Sequence, residues 1–176
     1  YKKIKDKDFE VNLILDKLNE YLCIHIENQI NHGADVVQIF DSWAGLVPPK
    51  YLPNYCYIPN LKIVEFCKKK GIPVICFPKG LRENYKEFNT IVKPHGLNID
   101  YDINLDWAKK SLKNTVIQGG LDPKILLLSE EEIFNNAKKY FDAFKGLPYV
   151  FNLGHGMLPE TDPEKVKKLI KFYREY

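Results

Sequence analysis

The stretch GIPVICFPKG (71–80) decides the fold. Gly71 closes the helical pattern before it, Ile72 to Phe77 is an unbroken apolar run, and Pro78-Lys79-Gly80 turns the chain away. A run without polar alternation reads as a strand covered on both faces, the habit of parallel sheets beneath helices. The same unit recurs on either side. Upstream, DVVQIF (35–40) stops in SWAGLVPPKYLPNY (42–55), a predicted loop with three prolines, and a helix is predicted from about Asn60 to Lys70 on Leu61, Val64 and Phe66. Before that, Val11, Ile14, Leu15, Leu18, Leu22 and Ile26 carry helical spacing over residues 9–32, closed at His32-Gly33. Downstream, ENYKEFNTIVKPHG (83–96) predicts a helix ending in glycine, GLNID (96–100) a strand and DINLDWAKKSLK (102–113) a short helix. TVIQ (115–118) opens into GGLDP, and Ser129 with Glu132 forms a capping box before Ile133, Ala137, Tyr140, Phe141 and Phe144. YVFNL (149–153) runs into GHG, and Thr161-Asp162-Pro163-Glu164 caps a last helix carrying Val166, Leu169, Ile170 and Tyr173.

Five strands alternating with five helices make an α/β chain with a parallel sheet. The 142 residues from position 35 to position 176 give about 28 per unit, the pitch of a (β/α)8 TIM barrel. Eight units need roughly 230 residues, so residues 1–176 are expected to be the C-terminal five βα units of one barrel domain, with the N-terminal strands missing. Met157 is the single methionine and the chain opens at Tyr1, which fits that expectation. An open doubly wound sheet is the structural alternative, but neither a GxGxxG nor a Walker sequence is present to mark its phosphate turn.

Composition narrows the class further. With 45% hydrophobic and 28% charged residues the sequence is globular, and a net charge of +3 is too small to point to nucleic acid. Cys23, Cys56, Cys67 and Cys76 lie 33, 11 and 9 residues apart with no CxxC, which reads as reduced thiols in a cytoplasmic protein. No apolar run reaches the roughly 20 residues of a membrane span, and no signal-peptide core opens the chain. Neither a membrane nor a nucleic acid is expected as a partner.

In a barrel of this kind chemistry collects where strands end, at FDSW (40–43), FPKG (77–80), DYD (100–102), QGGLDP (118–123) and NLGHG (152–156). His155 is the most informative, because its flanking glycines let backbone approach a ligand and imidazole donates to a carboxylate or moves a proton near neutral pH. The competing reading is a rim histidine bonded to a nearby carbonyl. His25, His32 and His95 read as helix, cap or surface residues. Ser42 has no GxSxG elbow and no visible base, so its hydroxyl contacts a bound carboxylate or merely turns a loop. Phe40 belongs either to the core or to an aromatic wall. Asp41 and Asp122 are expected to hold loops through backbone bonds, Lys79 to be solvated or to meet an anion, and Lys68-Lys69-Lys70 to be a solvated helix end.

Taken in order, QIFDSWAG (38–45), FPKG (77–80), NIDYDINL (98–105), QGGLDP (118–123) and FNLGHGMLP (151–159) strongly resemble the C-terminal half of the uroporphyrinogen decarboxylase family. The resemblance covers nearly the whole chain. It implies a (β/α)8 barrel, a homodimer when complete, and removal of CO2 from the four acetate side chains of uroporphyrinogen III to give coproporphyrinogen III in haem synthesis. No metal and no organic cofactor is implied, because a pyrrole protonated on its ring carbon is an electron sink for its own acetate. Position by position, Ser42 corresponds to the family's hydroxyl on a substrate carboxylate, His155 to its carboxylate-binding histidine and catalytic residue, and Phe40 to an aromatic residue lining the cleft. The family's arginine pair, its aspartate that gathers the pyrrole N–H groups and a tyrosine belong to the other half, so the isolated segment is expected to be inactive and to self-associate through bare sheet edges. GGLDP replaces the commoner GNLDP, and IDYD the commoner LDWT.

Two alternatives accompany this reading. One is a catalytically inactive half-barrel remnant or accessory binding chain. The other is the related zinc-dependent cobalamin methyltransferases, whose His-x-Cys pair and late cysteine would fall at Val74, Cys76 and His155. Only Cys76 of those three is a thiol, and one thiolate does not make a zinc site.

Overall fold

The computed structural model describes residues 9–176. Its elements alternate as the apolar runs require: α1 (Phe9–Asn31), β1 (Val37–Asp41), α2 (Ile58–Lys69), β2 (Val74–Pro78), α3 (Tyr85–Val92), β3 (Gly96–Ile99), α4 (Leu105–Ser111), β4 (Val116–Gly119), α5 (Glu130–Phe144), β5 (Tyr149–Val150) and α6 (Pro163–Glu175). The strands form a five-stranded sheet in chain order, the arrangement of successive βα units. The chain divides into two compact units at Leu97/Asn98, within β3.

In the first unit β1 and β2 pair in parallel from Val37↔Val74 to Asp41↔Pro78, and Ile75 pairs with Gly96 of β3. One strand face is sealed by helices: Val37, Val74, Cys76 and Leu97 are buried, as are Val64 and Cys67 of α2 and Phe88 and Val92 of α3. The register puts Phe40 and Phe77 together on the other face, where Phe40 is 67% exposed. The loop predicted over 42–55 is largely helical. Short 3-10 turns cover Ala44–Leu46 and Pro49–Tyr51, and a π turn over Pro53–Tyr57 leads directly into α2. Leu52, Cys56, Asn60, Val64 and Cys67 are all buried at helical intervals, and prolines in a first turn cost no hydrogen bond.

The helix expected over 9–32 is found as α1, and two further expectations are corrected in this unit. On α1 the sunken residues are Asn19 and Ile26, whereas Ile14, Leu18 and Leu22 stay 58%, 51% and 44% exposed. The buried stripe therefore includes a polar residue and lies to one side of the most apolar one. Helix α3 ends not at Gly96 but at Val92, with Lys93 left-handed (φ 51°) and Pro94 blocking continuation. His95 thereby stands before a strand, and its Nδ1 accepts the Val74 N–H at 3.1 Å. Nor is the lysine run simply solvated: Lys68 Nζ donates to the Lys93 carbonyl at 2.6 Å and Lys70 pairs with Glu27 of α1.

The second unit pairs β4 with β5 in parallel through Ile117↔Tyr149 and Gln118↔Val150. The run YVFNL yields only a two-residue strand, but its line continues to an isolated bridge between Leu121 and Leu153. Leu121, Leu126, Ile133, Ala137, Phe141 and Leu169 form the core, with Phe134, Phe151 and Phe172 packed on it. Caps match the sequence signals. The Ser129 side chain accepts the Glu132 N–H while the Glu132 carboxylate accepts the Ser129 N–H, and Asp162 accepts the Glu164 N–H. No helix of the described residues is long and apolar enough to cross a membrane.

Candidate functional site

Phe40, inside β1 next to its last residue, and Ser42, the first residue after β1, stand on the first unit, and His155, in the loop after β5, on the second. In the first unit β1 delivers Phe40 outward by alternation, and the Phe40 and Phe77 rings meet edge-on at 6.4 Å and 76°. Ser42 follows, exposed, at the start of the loop. Between them Asp41 points the other way, toward α2, where Asn60 Nδ2 donates to its carboxylate at 3.2 Å and to the Cys56 carbonyl at 2.8 Å. Desolvation by burial raises the Asp41 pKa, and hydrogen bonds from Cys56 and Asn60 oppose it. The partners are side chains, not the backbone groups expected for a turn aspartate. Burial likewise pushes the Cys56 and Cys76 thiols well up, with Asp41 adding to the shift, so neither supplies a thiolate near neutral pH.

The loops after β1 and β2 are tied by backbone. The Lys79 N–H donates to the Asp41 carbonyl at 3.1 Å and the Gly45 N–H to the Lys79 carbonyl at 2.8 Å. Lys79 thus earns its place through main-chain bonds.

In the second unit the loop that carries His155 is held by a ladder that outlasts the strand. The Leu121 N–H donates to the Asn152 carbonyl at 3.2 Å and the Gly154 N–H to the Leu121 carbonyl at 2.8 Å. A Cβ on Gly154 would lie 2.5 Å from the Tyr101 backbone nitrogen, whereas one on Gly156 would meet nothing within 4 Å. The constraint on the glycine before His155 is therefore neighbouring backbone rather than a ligand, and His155 itself is exposed. Asp122 holds its loop as expected, accepting the Lys124 N–H at 2.9 Å.

Several features of this rim escaped the sequence reading. Gln118 Nε2 donates to Asn98 Oδ1 at 2.8 Å, and Asn98 Nδ2 to the Ile99 carbonyl at 3.2 Å, with both side chains buried. Their signal was a lone amide inside each apolar strand, since a buried amide is kept only where its hydrogen bonds are met. Behind them, Tyr149 and Tyr140 donate their hydroxyls to the carbonyls of Gly119 and Gly120, each at 2.7 Å. Desolvation lifts the Tyr140 pKa to about 12 and the Tyr149 pKa further, so both remain donors. A hollow of about 410 Å³ lined by Phe141, Phe144, Lys145 and Tyr149 lies toward the amino end of β5, away from His155. Among the described residues no group of three or more His, Cys, Asp or Glu is placed to hold a metal, and Cys76 is buried rather than at a strand end.

Comparison with known proteins adds an independent line. Residues 2–176 match the family model described as uroporphyrinogen decarboxylase (URO-D). The uroporphyrinogen decarboxylase of Orientia tsutsugamushi (strain Boryong) is 38% identical over 170 residues, covering 93% of this chain and 50% of the relative. That of Wolbachia pipientis wMel is 35% identical over 165 residues, with 93% and 48% covered. That of Cereibacter sphaeroides (strain ATCC 17029 / ATH 2.4.9) is 35% identical over 179 residues, with 98% and 52% covered. The chain spans about half the length of the curated relatives it matches. Among solved structures, a methyltransferase from Methanosarcina mazei superposes with a TM-score of 0.77 at 20% identity, covering 89% of this chain and 47% of that one, a likeness of fold alone.

Proposed function

The chain belongs to the uroporphyrinogen decarboxylase family, and from that premise we propose that it is the C-terminal five βα units of a (β/α)8 decarboxylase acting on the acetate side chains of uroporphyrinogen III. In this reading His155 binds and orients a substrate carboxylate, the Ser42 hydroxyl donates to another, and Phe40 forms an apolar wall against a pyrrole. The single observation that carries it is that Phe40 and Ser42, at the carboxyl end of β1, and His155, in the loop after β5, stand exposed while the aspartate between Phe40 and Ser42 turns inward to Asn60.

The reaction asks little of the protein beyond positioning. A proton added to the pyrrole ring carbon bearing the acetate makes the ring an electron sink. The bond between the acetate methylene and its carboxylate then breaks, CO2 leaves, and the electron pair passes into the ring. A proton delivered to the exocyclic carbon and release of the proton first added to the ring carbon leave a methyl group and a restored pyrrole, one proton taken up for each CO2 lost. Each carboxylate must be held by donors that do not themselves react, the office assigned to Ser42 and His155. No cofactor enters the balance. The remaining groups, a partner copy in a homodimer and a cytoplasmic setting belong to the same proposal, with the N-terminal half of the barrel completing the cleft.

The test is His155→Ala in the full-length protein. Slower consumption of uroporphyrinogen, or accumulation of partly decarboxylated intermediates, is expected. An unchanged rate and product profile removes His155 from the site.

A further inference from the structure

The loop that carries Ser42 is closed on the loop after β2 by a contact that only two glycines allow. A Cβ on Gly45 would lie 2.5 Å from the Gly80 carbonyl oxygen and 2.7 Å from both its carbonyl carbon and its Cα. All three are backbone atoms, so no side-chain rotation can relieve the clash. The facing residue is itself constrained, since Gly80 has φ 81° and a Cβ there would come within 3.2 Å of the Gly45 Cα. The contact also closes a cycle of main-chain bonds, from Gly45 to Lys79 and from Lys79 to Asp41, the residue next to Ser42. Ala44 and Leu81, the neighbours of the two exposed glycines, are both 1% exposed and anchor the contact to the core beneath it. The loop therefore has rigid feet on either side of an exposed serine, which is how a first contact with substrate is kept within a fraction of an ångström.

We propose that Gly45 is a positioning residue for Ser42, acting through its backbone contact with Gly80. The proposal rests on the reading of Ser42 as a carboxylate-binding hydroxyl. Enlarging either glycine must open the contact, lengthen the Gly45–Lys79 bond and carry Ser42 off its station, so the effect of Gly45→Ala must pass through Ser42.

The experiment is a double-mutant cycle on the full-length protein with uroporphyrinogen as substrate, alongside amide hydrogen exchange at Gly45. Ser42→Ala is expected to lower kcat/KM about tenfold or more, mainly through KM, as the loss of one donor to a carboxylate does. Gly45→Ala is expected to match it, and to cost less than a further twofold when added to Ser42→Ala. Gly80→Ala serves as a second route to the same opening should the first variant fold poorly. Multiplicative losses, or wild-type kinetics for both glycine variants while Ser42→Ala is impaired, overturn the positioning role alone. Wild-type kinetics for Ser42→Ala overturn the reading of Ser42 and the proposal with it. In the unmodified protein the Gly45 amide is expected to exchange at least tenfold more slowly than a free loop amide, and unprotected exchange overturns the contact without any variant.

Discussion

The two units seal their strands with side chains of the same kinds, differently arranged. Up to Leu97 the helix-facing layer mixes small groups with separate rings: Cys56, Cys67, Cys76, Val64 and Val74 are fully buried, and so are Tyr57, Tyr85 and Phe88, of which Tyr57 and Phe88 meet edge-on at 5.7 Å. From Asn98 onward the rings gather around one of their number: Phe141 lies 4.8 Å from Phe151, 4.9 Å from Tyr173 and 5.3 Å from Tyr176, while Phe144 stacks on Tyr149 at 4.4 Å. Small branched and sulfur side chains spread cohesion over many positions, whereas a ring cluster concentrates it in a few. Yet the exposed residue is held alike in both, by main-chain bonds and a glycine pressed against backbone. Core arrangement can therefore differ while the geometry beneath a rim residue is kept.

The sharpest way to break the contrast is to remove one member from each layer. Phe141→Ala is expected to cost about 3–5 kcal/mol, a large part of the roughly 5–15 kcal/mol that holds a domain. Cys67→Ala removes one sulfur and is expected to cost about 1 kcal/mol. Chemical denaturation of the two variants measures both, and equal losses would show that the rings carry no special share.

Glycines offer the next comparison, on one side of His155 against the other. Gly154→Ala must push the Tyr101 backbone and is expected to destabilise by about 1–3 kcal/mol, as overpacking does. Gly156→Ala meets open space and is expected to stay within about 0.5 kcal/mol of the parent. Similar midpoints for the two would place the constraint elsewhere than at Tyr101.

The order of elements was legible because five apolar runs and their glycine or cap boundaries are local signals, and Ser129 to Glu132 was read down to its two reciprocal bonds. The turns before α2 were not, because Pro48, Pro49 and Pro53 spell loop while the buried spacing Leu52-Cys56-Asn60 spells helix. Tertiary burial decided between them. The spacing Val11-Ile14-Leu15-Leu18-Leu22-Ile26 marked α1 as a helix, though of those six only Ile26 is buried, and Asn19 is buried with it. At the rim, exposed Ser42 and His155 were visible as residue types, whereas the Gly45–Gly80 contact and the tyrosines on Gly119 and Gly120 join residues 20 or more apart. Such pairings have no local sequence signature.

Caps give a smaller, purely local effect. Ser129→Ala removes the acceptor for the Glu132 N–H and the hydroxyl that Glu132 Oε2 holds at 2.6 Å. A loss of about 0.5–2 kcal/mol is expected, with a matching fall in helix content at the start of α5. Glu132→Gln, which keeps the reciprocal acceptor, should lose less. If the glutamine variant loses as much as the alanine one, the carboxylate charge rather than the box does the stabilising.

The smallest expected effect belongs to Asp41 and distinguishes the polar seam of the first unit from the phenols of the second. Burial raises its pKa above the ordinary carboxylate value despite the opposing bonds from Cys56 and Asn60. The folded state thus holds the proton more tightly than the unfolded one. The resulting stabilisation is complete below the unfolded value, about 4, and is lost as pH rises through the folded value. At neutral pH an ionised, half-buried carboxylate is a net cost. Asp41→Asn keeps an acceptor for Asn60 and fixes the neutral form, so it should raise Tm at about pH 7 by a few degrees, on the scale of ~2–4 °C per kcal/mol. The gain should shrink toward zero near pH 3, where the parent is protonated as well. Melting curves of parent and variant across that range decide it: a gain independent of pH would mean that packing, not ionisation, separates the two. A loss at neutral pH would mean that the Asn60 and Cys56 bonds to the carboxylate outweigh its desolvation.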